Sequence, residues 1–187
     1  NRFIFFDPFT EEISSIIPNG GIFKSFVIDN ELFFSINGQG IFKIDGGNYV
    51  PFNTNGIFAQ NNINNLFKLN DSLLALTQYS GFYKILPENK VLKWNSYLND
   101  LDQLNVYSSI INSDRSFSVG TVKSGLIKLN ENGNIIETLN KKNSIINNTV
   151  LSVYEDNNNN LWLGLDNGIS VVNYDSPFKI FEDYEGV

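Results

Sequence analysis

Val150-Leu151-Ser152-Val153-Tyr154 alternates apolar and polar positions and carries β-branched side chains, which predicts a strand. Glu155 to Asn160 is a polar turn, and Leu161-Trp162-Leu163-Gly164-Leu165 predicts a second strand. Asp166-Asn167-Gly168 is a tight turn into a third strand, Ile169 to Asn173. Tyr174-Asp175-Ser176-Pro177 then turns the chain into an outer strand, Phe178 to Phe181. The same order recurs upstream. First strands are predicted at Phe26-Val27-Ile28, at Leu66 to Leu69 and at Tyr107 to Ile111. Second strands are predicted at Leu32 to Ile36, Leu73 to Thr77 and Phe117 to Thr121.

Glycine sets the period. Gly40, Gly81, Gly125 and Gly168 follow one another at intervals of 41, 44 and 43 residues. Each opens a similar strand: Ile41-Phe42-Lys43-Ile44, Phe82-Tyr83-Lys84-Ile85, Leu126-Ile127-Lys128-Leu129 and Ile169-Ser170-Val171-Val172. A period of roughly 43 residues made of four short antiparallel strands predicts an all-β chain of β-propeller blades. A β-sandwich is the competing architecture, but its turns do not return in matched flanking sequence. A small residue also precedes the last position of the second strand in three copies (Ser35, Gly120 and Gly164), with Leu76 the exception. Crowding of blades towards a common axis is the expected reason.

The register predicts half a blade and four whole ones. Phe3-Ile4-Phe5-Phe6-Asp7 aligns with Ile41 to Asp45, so residues 1–17 read as the last two strands of a blade. Blades are expected at 18–57, 58–98, 99–140 and 141–187, the last including a linker to a further repeat. Open blades expose sheet faces and edges, so the segment is expected to belong to a larger ring of about seven blades.

Composition narrows the chemistry. The net charge of −7 and the low pI argue against nucleic-acid binding by this segment. Cysteine and histidine are absent, which removes thiolate nucleophiles, His-dependent triads and His/Cys zinc sites; no cofactor, metal or catalytic residue is expected. No apolar run approaches the roughly 20 residues that cross a bilayer as a helix, so no membrane insertion by this segment is expected. The 30 asparagines suit turns, because Asn tolerates left-handed backbone and bonds its own main chain.

Carboxylate pairs remain: Glu11-Glu12, Glu155-Asp156, and Asp100 with Asp102. They would suit a polysaccharide-active propeller if two faced each other across a cleft. Their places in or beside predicted turns read instead as solvated surface. Asp156-x-Asn158-x-Asn160 imitates the start of a calcium loop, but Leu161 and Asn167 occupy the positions of its glycine and bidentate glutamate, leaving a hairpin turn. Trp94 and Trp162 read as blade-packing residues rather than sugar platforms.

Recognition, if this segment performs it, is expected at the turns between second and third strands, which share one end of the blades with the blade-to-blade connections. The candidate residues are Asn37 and Gln39, Gln78 and Tyr79, Lys123, and Asp166 and Asn167.

The text Val150 to Asp156, then Leu161-Trp162-Leu163-Gly164-Leu165 and Gly168-Ile169, closely resembles the two-component-regulator propeller repeat. Leu165 stands where that repeat has threonine, the third copy matches less well, and the first two lack the tryptophan and the Glu-Asp pair. The resemblance implies the periplasmic or extracellular sensor region of a Bacteroidetes hybrid two-component or one-component regulator, anchored in the membrane elsewhere in its chain. It further implies a ligand that is a glycan, a small molecule or a protein, and contacts with neighbouring blades and a downstream Ig-like domain. A homodimer of the parent is a further expected assembly. A scaffold propeller of an outer-membrane or secretion assembly is the alternative.

Overall fold

The computed structural model describes residues 2–94 and 104–174. Its backbone divides into two compact units, Asn1–Thr77 with Phe82–Lys93, and Gln78–Gly81 with Trp94–Val187.

The first unit holds three antiparallel sheets. β1 (Phe3–Phe6) pairs with β2 (Ile13–Ile16). β3 (Ile22–Ile28), β4 (Glu31–Ile36), β5 (Gly40–Asp45) and β6 (Asn48–Asn53) form a four-stranded meander. A short helix, α1 (Gly56–Gln60), leads to the next meander: β7 (Ile63–Leu69), β8 (Ser72–Thr77), β9 (Phe82–Ile85) and β10 (Val91–Lys93). In the second unit β11 (Val106–Ile111), β12 (Phe117–Thr121), β13 (Leu126–Leu129) and β14 (Ile135–Leu139) make a further meander. β15 (Val150–Glu155), β16 (Leu161–Leu165) and β17 (Gly168–Val172) follow as a three-stranded sheet. The outer strand expected at Phe178 to Phe181 lies outside the described residues.

The second strands β4, β8 and β12 are buried on both faces, and alternation along them explains how. In β4, Phe33 joins a core with Ile41, Phe58, Ile63, Leu66, Ala75 and Tyr83. Its neighbour Phe34 points the other way, into Ile36 and Phe42 with Phe3 and Tyr49 packed against them. Phe34 meets Phe3 edge-on at 4.8 Å. Each β4 phenylalanine thus fastens the sheet to a different neighbour, and burial of one such side chain contributes about 1.5–3 kcal/mol. In the second unit Leu126, Leu139, Val150, Leu161 and Leu163 pack between β13–β14 and β15–β16.

The periodic glycine has two physical causes. All four copies adopt positive φ (109° at Gly40, 74° at Gly81, 82° at Gly125 and 127° at Gly168). The end of the fourth strand also passes close by: a β-carbon at Gly40 would lie 2.7 Å from the Asn53 carbonyl oxygen, and one at Gly125 would strike that of Leu139.

Each first strand carries a bulge near its start against the second strand: between Ile22 and Ser25, Ile63 and Asn65, Val106 and Ser108, and Val150 and Ser152. This bulge, joined at Gly120 by the approach of β15 from the next sheet, accounts for the two glycines of the second strands. A β-carbon at Gly120 would sit 2.5 Å from the Ser108 hydroxyl and 2.9 Å from the Val150 carbonyl oxygen, and one at Gly164 would strike Ser152. Leu76 pairs with Asn65 at the equivalent position and is fully buried there; nothing in the structure explains the larger side chain. The bulges also explain why β3 and β7 begin earlier than their sequences suggest: polar Lys24-Ser25 and Asn64-Asn65 lie at them and interrupt the alternation. α1, absent from the sequence expectation, is capped by Asn55, whose side-chain oxygen accepts from Ile57 N at 3.0 Å. It buries Phe58 against Tyr83.

Candidate functional site

At the end of the blades that carries the turns between second and third strands, the second unit is stitched by a run of hydrogen bonds. Gln78 Nε2 donates to Asn105 Oδ1 at 2.9 Å, and Val106 N donates to the Gln78 carbonyl at 3.0 Å. Val122 N donates to the Asn105 carbonyl at 3.1 Å, while the Thr149 hydroxyl donates to the Val122 carbonyl at 2.8 Å. Asp166 N closes the run on the Thr149 carbonyl at 3.3 Å. Each turn is therefore held by the connector entering its own sheet or the following one. Turn residues fixed this way form a pre-organised surface, since little ordering entropy is left to lose on binding.

The seven candidate residues divide into fasteners and free groups. Gln78 is a fastener, as is Asn167, whose Oδ1 accepts from Asn147 Nδ2 at 2.8 Å. In the first unit Gln39 Nε2 donates to the Asn19 carbonyl at 2.7 Å, and Asn37 N donates to the Gly21 carbonyl at 3.0 Å. Asn37 is exposed. Tyr79, Lys123 and Asp166 are exposed, and their side chains have no hydrogen-bond partner among the described residues. These three lie one on each turn of the second unit.

The opposite end of the second unit explains the Glu-Asp pair and the tryptophan. Asp156 Oδ1 accepts from Asn158 N at 2.8 Å and Asn160 N at 3.0 Å. Its Oδ2 accepts from Trp162 Nε1 at 2.8 Å and Asn160 Nδ2 at 3.0 Å. The Trp162 and Asn160 side chains, aided by the two turn amides, hold the Asp156 carboxyl down at about 2. Four donors saturate that carboxylate, so the calcium-like spacing serves a hairpin turn. Trp162 is 43% exposed and clamps this turn, rather than packing between blades as its sequence context suggested. Trp94 does pack, edge-on against Phe117 at 5.5 Å and over Gly133.

Glu155 reaches the preceding sheet, where its carboxylate accepts from Ser113 N at 2.6 Å and from the Ser113 hydroxyl at 3.1 Å. Beside it Lys128 Nζ donates to Asp114 at 3.2 Å and lies 4.3 Å from the centre of the Tyr174 ring. Partial burial works against the Asp114 charge, but the Ser116 hydroxyl and amide and the Lys128 ammonium outweigh it and hold the carboxyl low. Burial pushes the Tyr174 phenol up, and its bond to Glu137 adds to the effect. Glu155 thus ties its turn to the preceding sheet, and Asp156 braces its own hairpin. Glu11 and Glu12 lie exposed in the β1–β2 turn, and Asp100 and Asp102 lie outside the described residues. No group of three or more acidic side chains that could hold a metal ion occurs among the described residues.

Short antiparallel meanders repeated on a glycine period, each bulged in its first strand, define a β-propeller. The family model described as "Two component regulator propeller" matches residues 144–167, which span β15, the Asp156 turn and β16. Histidine kinase P4 of Formosa agariphila is 27% identical over 161 residues, covering 77% of this chain and 11% of that protein. The extracellular domain of the proposed one-component system BT4673 of B. thetaiotaomicron superimposes with a TM-score of 0.68 at 18% identity, over 92% of this chain and 25% of that one. PorZ, a surface component of the type-IX secretion system of Porphyromonas gingivalis, gives a TM-score of 0.66 at 15% identity, over 89% of this chain and 28% of that one. The chain spans about a quarter of each of these two structures and about a tenth of the kinase.

Proposed function

We propose that the chain is a segment of the extracytoplasmic sensor propeller of a signal-transduction regulator and performs no catalysis itself. The observation that carries this reading is the two-component-regulator propeller match at residues 144–167, within a chain whose fold follows an extracellular sensor-system domain over 92% of its length. Recognition of a glycan, small molecule or protein takes place across the stitched turns, through Tyr79, Lys123 and Asp166. Asn37 is the matching exposed group of the first unit. A ligand held there shifts the equilibrium between two packings of the propeller on the domain that follows it, in proportion to its differential affinity for them.

The test is alanine replacement of Tyr79, Lys123 and Asp166 together in the full-length regulator, with output read from a reporter. Blunted induction at unchanged protein level is the expected result; unchanged induction removes these turns from recognition. The likeness to PorZ favours a second reading, a scaffold propeller in a secretion assembly. That reading predicts one tight protein partner and no small-molecule response.

A further inference from the structure

At the opposite end of the first unit, where turns join first to second and third to fourth strands, a cleft opens between the β3–β6 and β7–β10 sheets. Its volume is about 510 Å³, within the range of small-molecule sites. Phe33, Phe52, Leu73 and Ile85 supply its apolar lining, and Phe33 meets Phe52 edge-on at 5.0 Å. Phe33 and Ile85 are buried, while Phe52 and Leu73 keep part of their surface open.

The rim is acidic, with Asp29, Glu31, Asp71 and Glu88 against the single lining cation Lys68. Two of these carboxylates are already neutralised: Lys68 pairs with Asp29 across the two sheets, and Lys43 reaches Glu31 at 3.0 Å. Asp71 and Glu88 have no cationic partner among the described residues. The Glu88 turn is braced on the other sheet, since Asn53 Nδ2 donates to the Asn89 carbonyl at 3.2 Å.

We propose that this cleft binds a small organic cation: an amine or guanidinium carried on an aromatic or branched apolar body. The apolar part removes the open surface of Phe52 and Leu73 from water, and the charged end meets Asp71 and Glu88 at the solvent edge, where an ion need not be fully desolvated. An anion is repelled by the same rim, and a neutral apolar molecule leaves both carboxylates unanswered. This site is separate from the stitched turns, and neither proposal depends on the other.

The experiment is an NMR titration of the chain with phenylalanyl-arginine amide, alongside phenylacetyl-glutamate, which carries a similar ring with the opposite charge. Saturable shifts confined to the amides of residues 70–73, 85, 86, 88 and 89 are expected with the cation and none with the anion. Asp71→Asn with Glu88→Gln should weaken binding about tenfold, the loss of one to two charge-assisted contacts. These rim changes leave the packed core intact, and the wild-type amide spectrum elsewhere confirms the fold. Absent or scattered shifts, equal binding of the anion, or affinity unmoved by the double substitution each overturns the proposal. Because binding is read on the chain without signalling output, failure here leaves the turn-face reading standing, and failure of the reporter test leaves this one standing.

Discussion

Replacing Gly125 by alanine tests why glycine recurs on the repeat. Two costs coincide there. A side chain at φ 82° enters the left-handed region, at about 1–2 kcal/mol. The new β-carbon also falls on the carbonyl of Leu139, a buried residue of the second unit's core, so β14 must yield. Forced displacement in a packed core costs about 1–3 kcal/mol. The alanine–glycine difference at position 125 should therefore be about 3 kcal/mol.

Arg115 calibrates the first cost alone, because it is an exposed turn residue of the same unit at φ 67°. There the alanine–glycine difference should be about 1 kcal/mol. Urea unfolding followed by tryptophan fluorescence reads the right unit, since Trp94 and Trp162 both belong to the second. In thermal scans the Gly125→Ala variant should melt about 6–12 °C lower. Equal alanine–glycine differences at 115 and 125 would show that the close approach of β14 carries no cost, and the argument for the period would fail.

Other outcomes follow from the same geometry. Phe34→Ala should cost about 3–5 kcal/mol in chemical unfolding, whereas Val27→Ala, on a side chain 72% exposed, should change stability by about 0.5 kcal/mol or less. Asp156 is held at about 2 against an ordinary value of 3.8. Its folded pKa is depressed, so its stabilising contribution is complete above the ordinary value and disappears as pH falls through about 2. The Trp162 indole N–H resonance should titrate with that low midpoint, and Trp162→Phe should raise the midpoint of the Asp156 carboxyl carbon. Asn55→Ala removes the cap of α1 and should cost about 1 kcal/mol, seen as faster amide exchange at Ile57.

The architecture was legible in the sequence because its strongest signals are backbone requirements that recur with each unit. A positive φ at every copy, reinforced at Gly40 and Gly125 by a passing carbonyl, leaves glycine as the fitting residue, so the period survives where side chains drift. Strand boundaries blurred where bulges placed polar Lys24 and Asn64 inside β3 and β7. α1 has five residues and shows no helical period; only its cap and the burial of Phe58 reveal it. The candidate turns were visible as polar breaks. Their division into fasteners and free groups was not, because it depends on connectors distant in sequence: Asn105 for Gln78, and Asn147 for Asn167. The acidic cleft was equally hidden, assembled from hairpin turns some forty residues apart.

The account rests on the stitched turns being a fixed platform rather than loose loops, and amide hydrogen exchange tests that directly. Val106, Val122 and Asp166 donate the stitching bonds, so their amides should exchange as slowly as those of β12 and far more slowly than the turn amides of Tyr79 and Lys123. If all five exchange at a common fast rate, the turns are mobile, and a recognition surface pre-formed on this end of the blades does not exist.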